Sequence, residues 1–313
     1  MRSYFSFALT LTLLAGLGGR PASAFGTASP GSTKPAPLAI PTAHNITRSI
    51  RSFIHNFNPI SIKSPLPANA KDYRYVLVKG LIGDAYPRYM ARSLEALQAR
   101  GLEVEFAKID TGASVAHNSA VIEQMIKYTT KPIIFIAHSK GVADTTDAIG
   151  RMAKLDPDMT QKKVRGLVAL EGAYRGSQVA DSLARTRWGM RAMKALAFFV
   201  RGSVDAGLDL RTSVRREAVA DHPMPTKLIP TVSFVGYKLK YSSLMGPTVF
   251  LMKKLFGVRG DGLVAHQDAV IDGGDVARYP IDHAAGAFGK YSDRLTLSLV
   301  GHVLEQPQHF SSL

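Results

Sequence analysis

Ser139 stands in the stretch Phe135-Ile136-Ala137-His138-Ser139-Lys140-Gly141. A run of β-forming residues from Pro132 to Ile136 leads into it, and a helical pattern leads out from Val142. A serine at the apex of a sharp strand-to-helix turn is placed for nucleophilic attack. The turn holds it in a strained backbone conformation and lifts its hydroxyl clear of the sheet. Strand and helix come close two residues on either side, where only small side chains fit, and those positions are Ala137 and Gly141. The same five residues also fit a serine capping an ordinary helix after a buried strand. The pentapeptide alone does not decide between the two.

A serine nucleophile needs a base within hydrogen-bond reach and an acid that orients the base. Asp261 lies in Gly260-Asp261-Gly262-Leu263-Val264, and His283 closes the stretch Tyr279-Pro280-Ile281-Asp282-His283. Each lies in a loop after a strand-like run. Of the other late histidines, His302 and His309 fall in or after the last helical pattern, and His266 has no strand before it. His283 is therefore the best base. Asp261-Gly262 also reads as a plain turn, and Asp282-His283 as a surface pair.

The elements that must position these residues alternate regularly. Strand patterns cover 73–78, 103–109, 132–136 and 164–170, and helical patterns cover 84–100, 115–128 and 142–154. Such alternation predicts an α/β fold with a mostly parallel central sheet and helices on both faces. Ligands on such sheets bind beyond the carboxyl ends of the strands. Between about 178 and 225 helices follow one another, which predicts a helical cap or lid insertion. Strand patterns resume at 228–237 and 276–280, and a last helix spans 292–304. The apolar segment 242–258 reads as a second lid segment, as the wall of an acyl pocket, or as core.

The chain resembles the secreted bacterial triacylglycerol lipases and their α/β-hydrolase relatives from about Tyr73 to Leu304. Val78-Lys79-Gly80-Leu81-Ile82-Gly83 resembles their oxyanion loop, and Ala137 to Gly141 resembles the lipase box. Tyr174-Arg175-Gly176-Ser177 resembles the family's Pro-His-Arg-Gly-Ser stretch. Asp261-Gly262-Leu263-Val264, followed by Asp282-His283, resembles its acid and base loops. The resemblance implies an α/β-hydrolase domain over 72–313 that cleaves carboxylic esters, with Ser139 as nucleophile, His283 as base and Asp261 as acid. It also implies an oxyanion hole made by the backbone N–H groups of Leu81 and Lys140. Glu171 is the alternative acid, because some lipases carry theirs after this strand. Lys79 stands where the family has His, Ala137 where its box has Gly, and Ala285 where several members have an Asp that binds calcium. Accordingly, no metal or other cofactor is expected. The Lys140 side chain is expected to point away from the substrate, with contact to an anionic substrate group as the other reading.

The 313 residues carry a net charge of +15 and no cysteine, which excludes disulfides and thiolate chemistry. Arg2, the apolar run Phe5 to Leu17 and Ala22-Ser23-Ala24 read as a signal peptide cleaved after Ala24, hence a secreted or periplasmic protein. Residues 25–71 form a Pro-rich extension. Within it Ile46, Ile50, Phe53, Ile54 and Phe57 recur at helical spacing, and Asn45 is either a helix cap or a glycosylation acceptor. The expected partners are a small-molecule or lipid ester and, from the charge, an anionic membrane or envelope surface. No nucleic acid is expected, since no recognition module accompanies the charge. Arg187, Arg191, Lys194 and Arg201 share one arc of a helix, with Trp188, Met193 and Leu196 largely opposite. That pattern fits either a cap helix or a membrane-surface helix. Beside a lipase or esterase, a polyhydroxyalkanoate depolymerase and a phospholipase remain open, as does a non-catalytic envelope-binding protein of the same fold.

Overall fold

The computed structural model describes residues 43–48, 50, 66–199, 201–237, 249, 252–254 and 257–306. The signal-peptide reading, most of the Pro-rich extension and most of 242–258 fall outside them. Seven strands form one parallel sheet: β1 His44–Asn45, β2 Arg74–Val78, β3 Glu103–Phe106, β4 Ile133–His138, β5 Val164–Leu170, β6 Thr231–Gly236 and β7 Asp275–Tyr279. Their spatial order is β1-β7-β6-β5-β4-β2-β3. The helices are α1 Ala91–Gln98, α2 Val115–Tyr128, α3 Lys140–Leu155, α4 Pro157–Lys163, α5 Gln178–Arg185, α6 Arg187–Phe199, α7 Asp205–Leu208, α8 Thr212–Asp221, α9 Ala285–Phe288 and α10 Ser292–Glu305.

The central strands are mostly apolar and buried along nearly their whole length because both faces of the sheet are covered. Successive side chains point to opposite faces. In β4, Ile134 and Ile136 join Leu77, Leu170 and Phe234 against Leu97 of α1 and Leu299 of α10. Ile133, Phe135 and Ala137 face the other way, against Ile122 and Ile126 of α2 and Ile149 of α3. β4 thus reaches Ser139 buried on both sides, which fixes the end of the strand where the serine stands.

Several boundaries differ from the sequence reading. The helical pattern over 84–100 is a helix only at Ala91–Gln98, preceded by a 3-10 turn at Gly83–Ala85. Pro87 lacks an N–H and disfavours helix at the residue before it, so the chain turns until Met90, itself left-handed at φ 53°. The strand expected over 103–109 stops at Phe106. β1 was not legible: it is two residues long and pairs with Asp275 and Val276 at the sheet edge. Asn45 ends β1, and its Oδ1 accepts the Thr47 N–H in a turn that leads into the helical residues after it. Ile46 and Ile50 are buried in the core, whereas Phe53, Ile54 and Phe57 lie outside the described residues. Between β5 and β6 the helices α5 to α8 follow one another as their patterns predict. No described helix is long and apolar enough to cross a membrane.

Candidate active site

Ser139 occupies the turn between β4 and α3 at φ 56° and ψ −124°, a conformation that non-glycine residues rarely adopt. Its carbonyl accepts the N–H groups of Val142 and Ala173, and its own N–H donates to the Leu170 carbonyl, so the strained residue is held from both sides. Gly141 is required by a close approach: a Cβ there would lie 2.6 Å from the carbonyl oxygens of Val78 and Lys79. The small residue therefore lets α3 sit against the end of β2.

His283 Nε2 lies 2.8 Å from Ser139 Oγ. On the other side of the ring, Nδ1 lies 2.9 Å from Asp261 Oδ2. Asp261 Oδ1 accepts the N–H groups of Leu263 and Val264, and the Asp261 carbonyl accepts the His283 N–H. Asp261 thus ties its own turn and fixes His283 through both backbone and side chain. Ser177 caps α5 and donates its hydroxyl to the Leu263 carbonyl, which docks the Tyr174–Ser177 stretch onto the acid loop. Asp282 accepts the N–H groups of Ala284 and Ala285. His266 accepts from Arg278, His302 is bound to Asp275, and His309 lies outside the described residues.

Glu171, the alternative acid, does not reach the His283 ring. It sits at the end of β5 with φ 48°, and its Oε2 accepts the Gly286 N–H at 3.0 Å and lies 3.2 Å from His138 Nε2. Its Oε1 is buried without a partner. Burial, and then the nearby Asp261 carboxylate, push the Glu171 carboxyl well above the usual range. His138 is driven the other way, first by burial and then by His283, so its ring is neutral.

Leu81 and Ser139 line the same cavity, and Lys140 follows Ser139 directly in the chain. The Lys140 side chain turns inward along α3, where Nζ lies 2.8 and 2.9 Å from the two oxygens of Asp144. It points away from any substrate, as the first reading predicts. Burial raises Asp144 to about 6 against the pull of Lys140. Lys79 turns outward, pairing with Asp84 at 3.1 Å and lying over the Phe106 ring. Asp84 in turn binds Thr111, which anchors the loop after β2 to the segment after β3. Ala285 opens α9.

Ser139 and His283 open onto an apolar cavity of about 180 Å³. Leu81 and Leu263 line it from the loops, and Leu183, Met193 and Leu196 from α5 and α6. α6 buries Met193 and Ala197 on this side. Its other side departs from the sequence reading: Trp188 is 65% exposed, beside Arg191, rather than packed opposite the basic residues. Phe198 is 80% exposed.

No protein-family model matches the chain, and no curated protein matches it. Solved structures do. The metagenomic carboxyl esterase MGS0156 superposes with a TM-score of 0.59 at 19% identity, covering 95% of this chain and 90% of that one. The mature form of the Bacillus licheniformis lipase BlEst2 gives 0.56 at 22% identity, covering 76% of this chain and 94% of that one. What these likenesses share with the chain is the α/β-hydrolase fold.

Proposed function

We propose that this chain, an α/β-hydrolase by fold, is a serine hydrolase of carboxylic esters with apolar acyl groups. The observation that carries the reading is the unbroken line from Asp261 through His283 to Ser139, ending at the mouth of an apolar cavity. Ser139 Oγ attacks the ester carbonyl as His283 Nε2 takes its proton. The N–H groups of Leu81 and Lys140 receive the developing oxyanion. His283 then protonates the leaving alcohol, and water repeats the sequence on the acyl-enzyme. Asp261 keeps the imidazole in the tautomer that leaves Nε2 free to accept.

The α5–α8 segment serves as a cap over the acyl group within a catalytic domain spanning 72–313. The exposed aromatic and basic side of α6 is the part that meets an anionic lipid or envelope surface. Export to the periplasm or beyond is supported by the residue pattern of 1–24.

A fluorophosphonate probe tests the chemistry, since it reacts with activated serines. Wild-type protein is expected to label at one site and Ser139→Ala not at all. Absence of wild-type labelling, or equal labelling of the variant, would leave the non-catalytic envelope-binding reading. An ester panel graded by acyl length, with phospholipid and polyhydroxyalkanoate included, then separates lipase or esterase from phospholipase and depolymerase.

A further inference from the structure

The proposed oxyanion loop carries no side chain of its own that fixes it to the nucleophile, because Lys79 leaves outward to Asp84. Thr111 anchors it at Ile82 and Asp84, and Tyr89 ties it at Gly80, next to the nucleophile. The Gly80 N–H donates to the Tyr89 hydroxyl at 3.0 Å. The fit is close: a Cβ on Gly80 would lie 2.5 Å from that hydroxyl and 2.8 Å from Ser139 Cβ. The Tyr89 hydroxyl in turn lies 2.6 Å from His138 Nδ1. His138 Nε2 lies 3.0 Å from the His283 carbonyl oxygen.

The donor and acceptor order along this chain follows from its ends. A backbone N–H only donates, so the Tyr89 oxygen accepts from Gly80, and its single proton goes to His138 Nδ1. A carbonyl only accepts, so the ring proton of His138 sits on Nε2 and points at His283 and at Glu171 Oε2. Burial keeps the His138 ring neutral and the Tyr89 phenol protonated, as this order requires. Both side chains are buried, and Phe288 packs edge-on against Tyr89 with ring centroids 5.0 Å apart.

We propose that Tyr89 and His138 are positioning residues, a buried relay that holds the oxyanion loop and the base loop in register with Ser139. One end lies next to Leu81, the other on His283, and His138 is the chain neighbour of the serine. The effect of the relay on rate rests on the serine-hydrolase reading above, but its mechanical coupling does not. Removing the Tyr89 hydroxyl strands a buried N–H and a ring nitrogen, and the loop shifts to relieve them. A small displacement of the oxyanion donors lowers the rate without weakening ground-state binding.

The test is Tyr89→Phe in the full chain, followed by hydrogen exchange and by steady-state turnover of a soluble ester. Exchange is expected to speed up by about tenfold or more both at 80–83 and at 281–286, segments far apart in sequence. kcat is expected to fall roughly 10- to 100-fold with KM within about threefold. His138→Gln keeps a donor near the Nε2 position and loses the acceptor for Tyr89. It is expected to loosen 80–83 while 281–286 stays protected, and it carries the test if Tyr89→Phe does not fold. In the double variant kcat is expected to fall no further than in the slower single variant. Unchanged exchange at 281–286 in Tyr89→Phe, or additive losses of rate in the double variant, overturns the relay. A wild type that neither labels nor turns over overturns the hydrolase reading instead, and exchange then judges the relay on its own.

Discussion

Asp261 and Glu171 both lie beside the loop that carries His283, and their surroundings give them different work. Asp261 accepts from the His283 ring and from two backbone N–H groups. Glu171 is fully buried with one oxygen unpartnered, an environment for a neutral carboxyl. Asp261→Asn should present the wrong tautomer of His283 to the serine and lower kcat by roughly 10³- to 10⁴-fold. Glu171→Gln preserves the shape and the acceptor for Gly286 and should stay within about tenfold of wild type. The two variants exchange these outcomes if Glu171 is the acid. A pH series adds a second check on Glu171. A carboxyl whose folded-state pKa is raised stabilises the fold in full below its ordinary value of 4.5. That contribution is lost as pH rises through the folded value. Glu171→Gln cannot ionise, so its denaturation midpoint should gain on that of wild type as the pH is raised.

Among the elements, α3 is tied to α8 by the Asp147–Arg215 pair. Both terminal nitrogens of Arg215 bond to Asp147, at 2.9 and 2.6 Å, and the arginine is 1% exposed. Burial alone would raise the Asp147 carboxyl, but the bonds from Arg215 and the nearby His222 ring reverse this and take it to about 2. A depressed carboxyl stabilises the fold above its unfolded pKa near 3.8 and loses that contribution as pH falls towards 2. Asp147→Ala leaves a buried guanidinium uncompensated and should cost about 3–5 kcal/mol at neutral pH, read from urea denaturation. It should also flatten the acid limb of the stability profile. None of this pairing is visible in the sequence, because 68 residues separate the partners. Local patterns were legible where burial on two faces writes them, as in β4 and the α3 that follows it. They failed at β1, whose two residues carry no period, and at 84–90, where Pro87 interrupts a helical composition. Ser139, Asp261 and His283 could be read as a group, and the structure brings them into one hydrogen-bonded line, because their types and chain order suit nucleophilic catalysis. Tyr89 could not: its tie to His138 spans 49 residues, and tyrosine at that spacing has no motif.

At the scale of the whole molecule, the net charge of +15 acts through where it is displayed. α6 has two unlike sides. Met193 and Ala197 are buried on the side facing the cavity, whereas Arg187, Trp188, Arg191, Lys194 and Phe198 are exposed, followed by Arg201. Exposed aromatic rings among basic groups match an interface in which rings enter the headgroup layer and cations meet anionic lipid. Each such cation contributes about 1 kcal/mol near an anionic surface, and salt screens it. Replacing Arg187, Arg191, Lys194 and Arg201 together by Gln should therefore weaken binding to phosphatidylserine-containing vesicles by about 3–4 kcal/mol. Turnover of a water-soluble ester should be unaffected, because these four side chains are exposed and none lines the cavity at Ser139. Trp188→Ala should lower binding to both anionic and zwitterionic vesicles, since ring burial does not depend on lipid charge. Cosedimentation at low and high salt measures the two binding effects, and a soluble-ester assay measures the turnover. If wild-type protein sediments equally with neutral and anionic vesicles, the charge has some other use, and solubility becomes its simplest account.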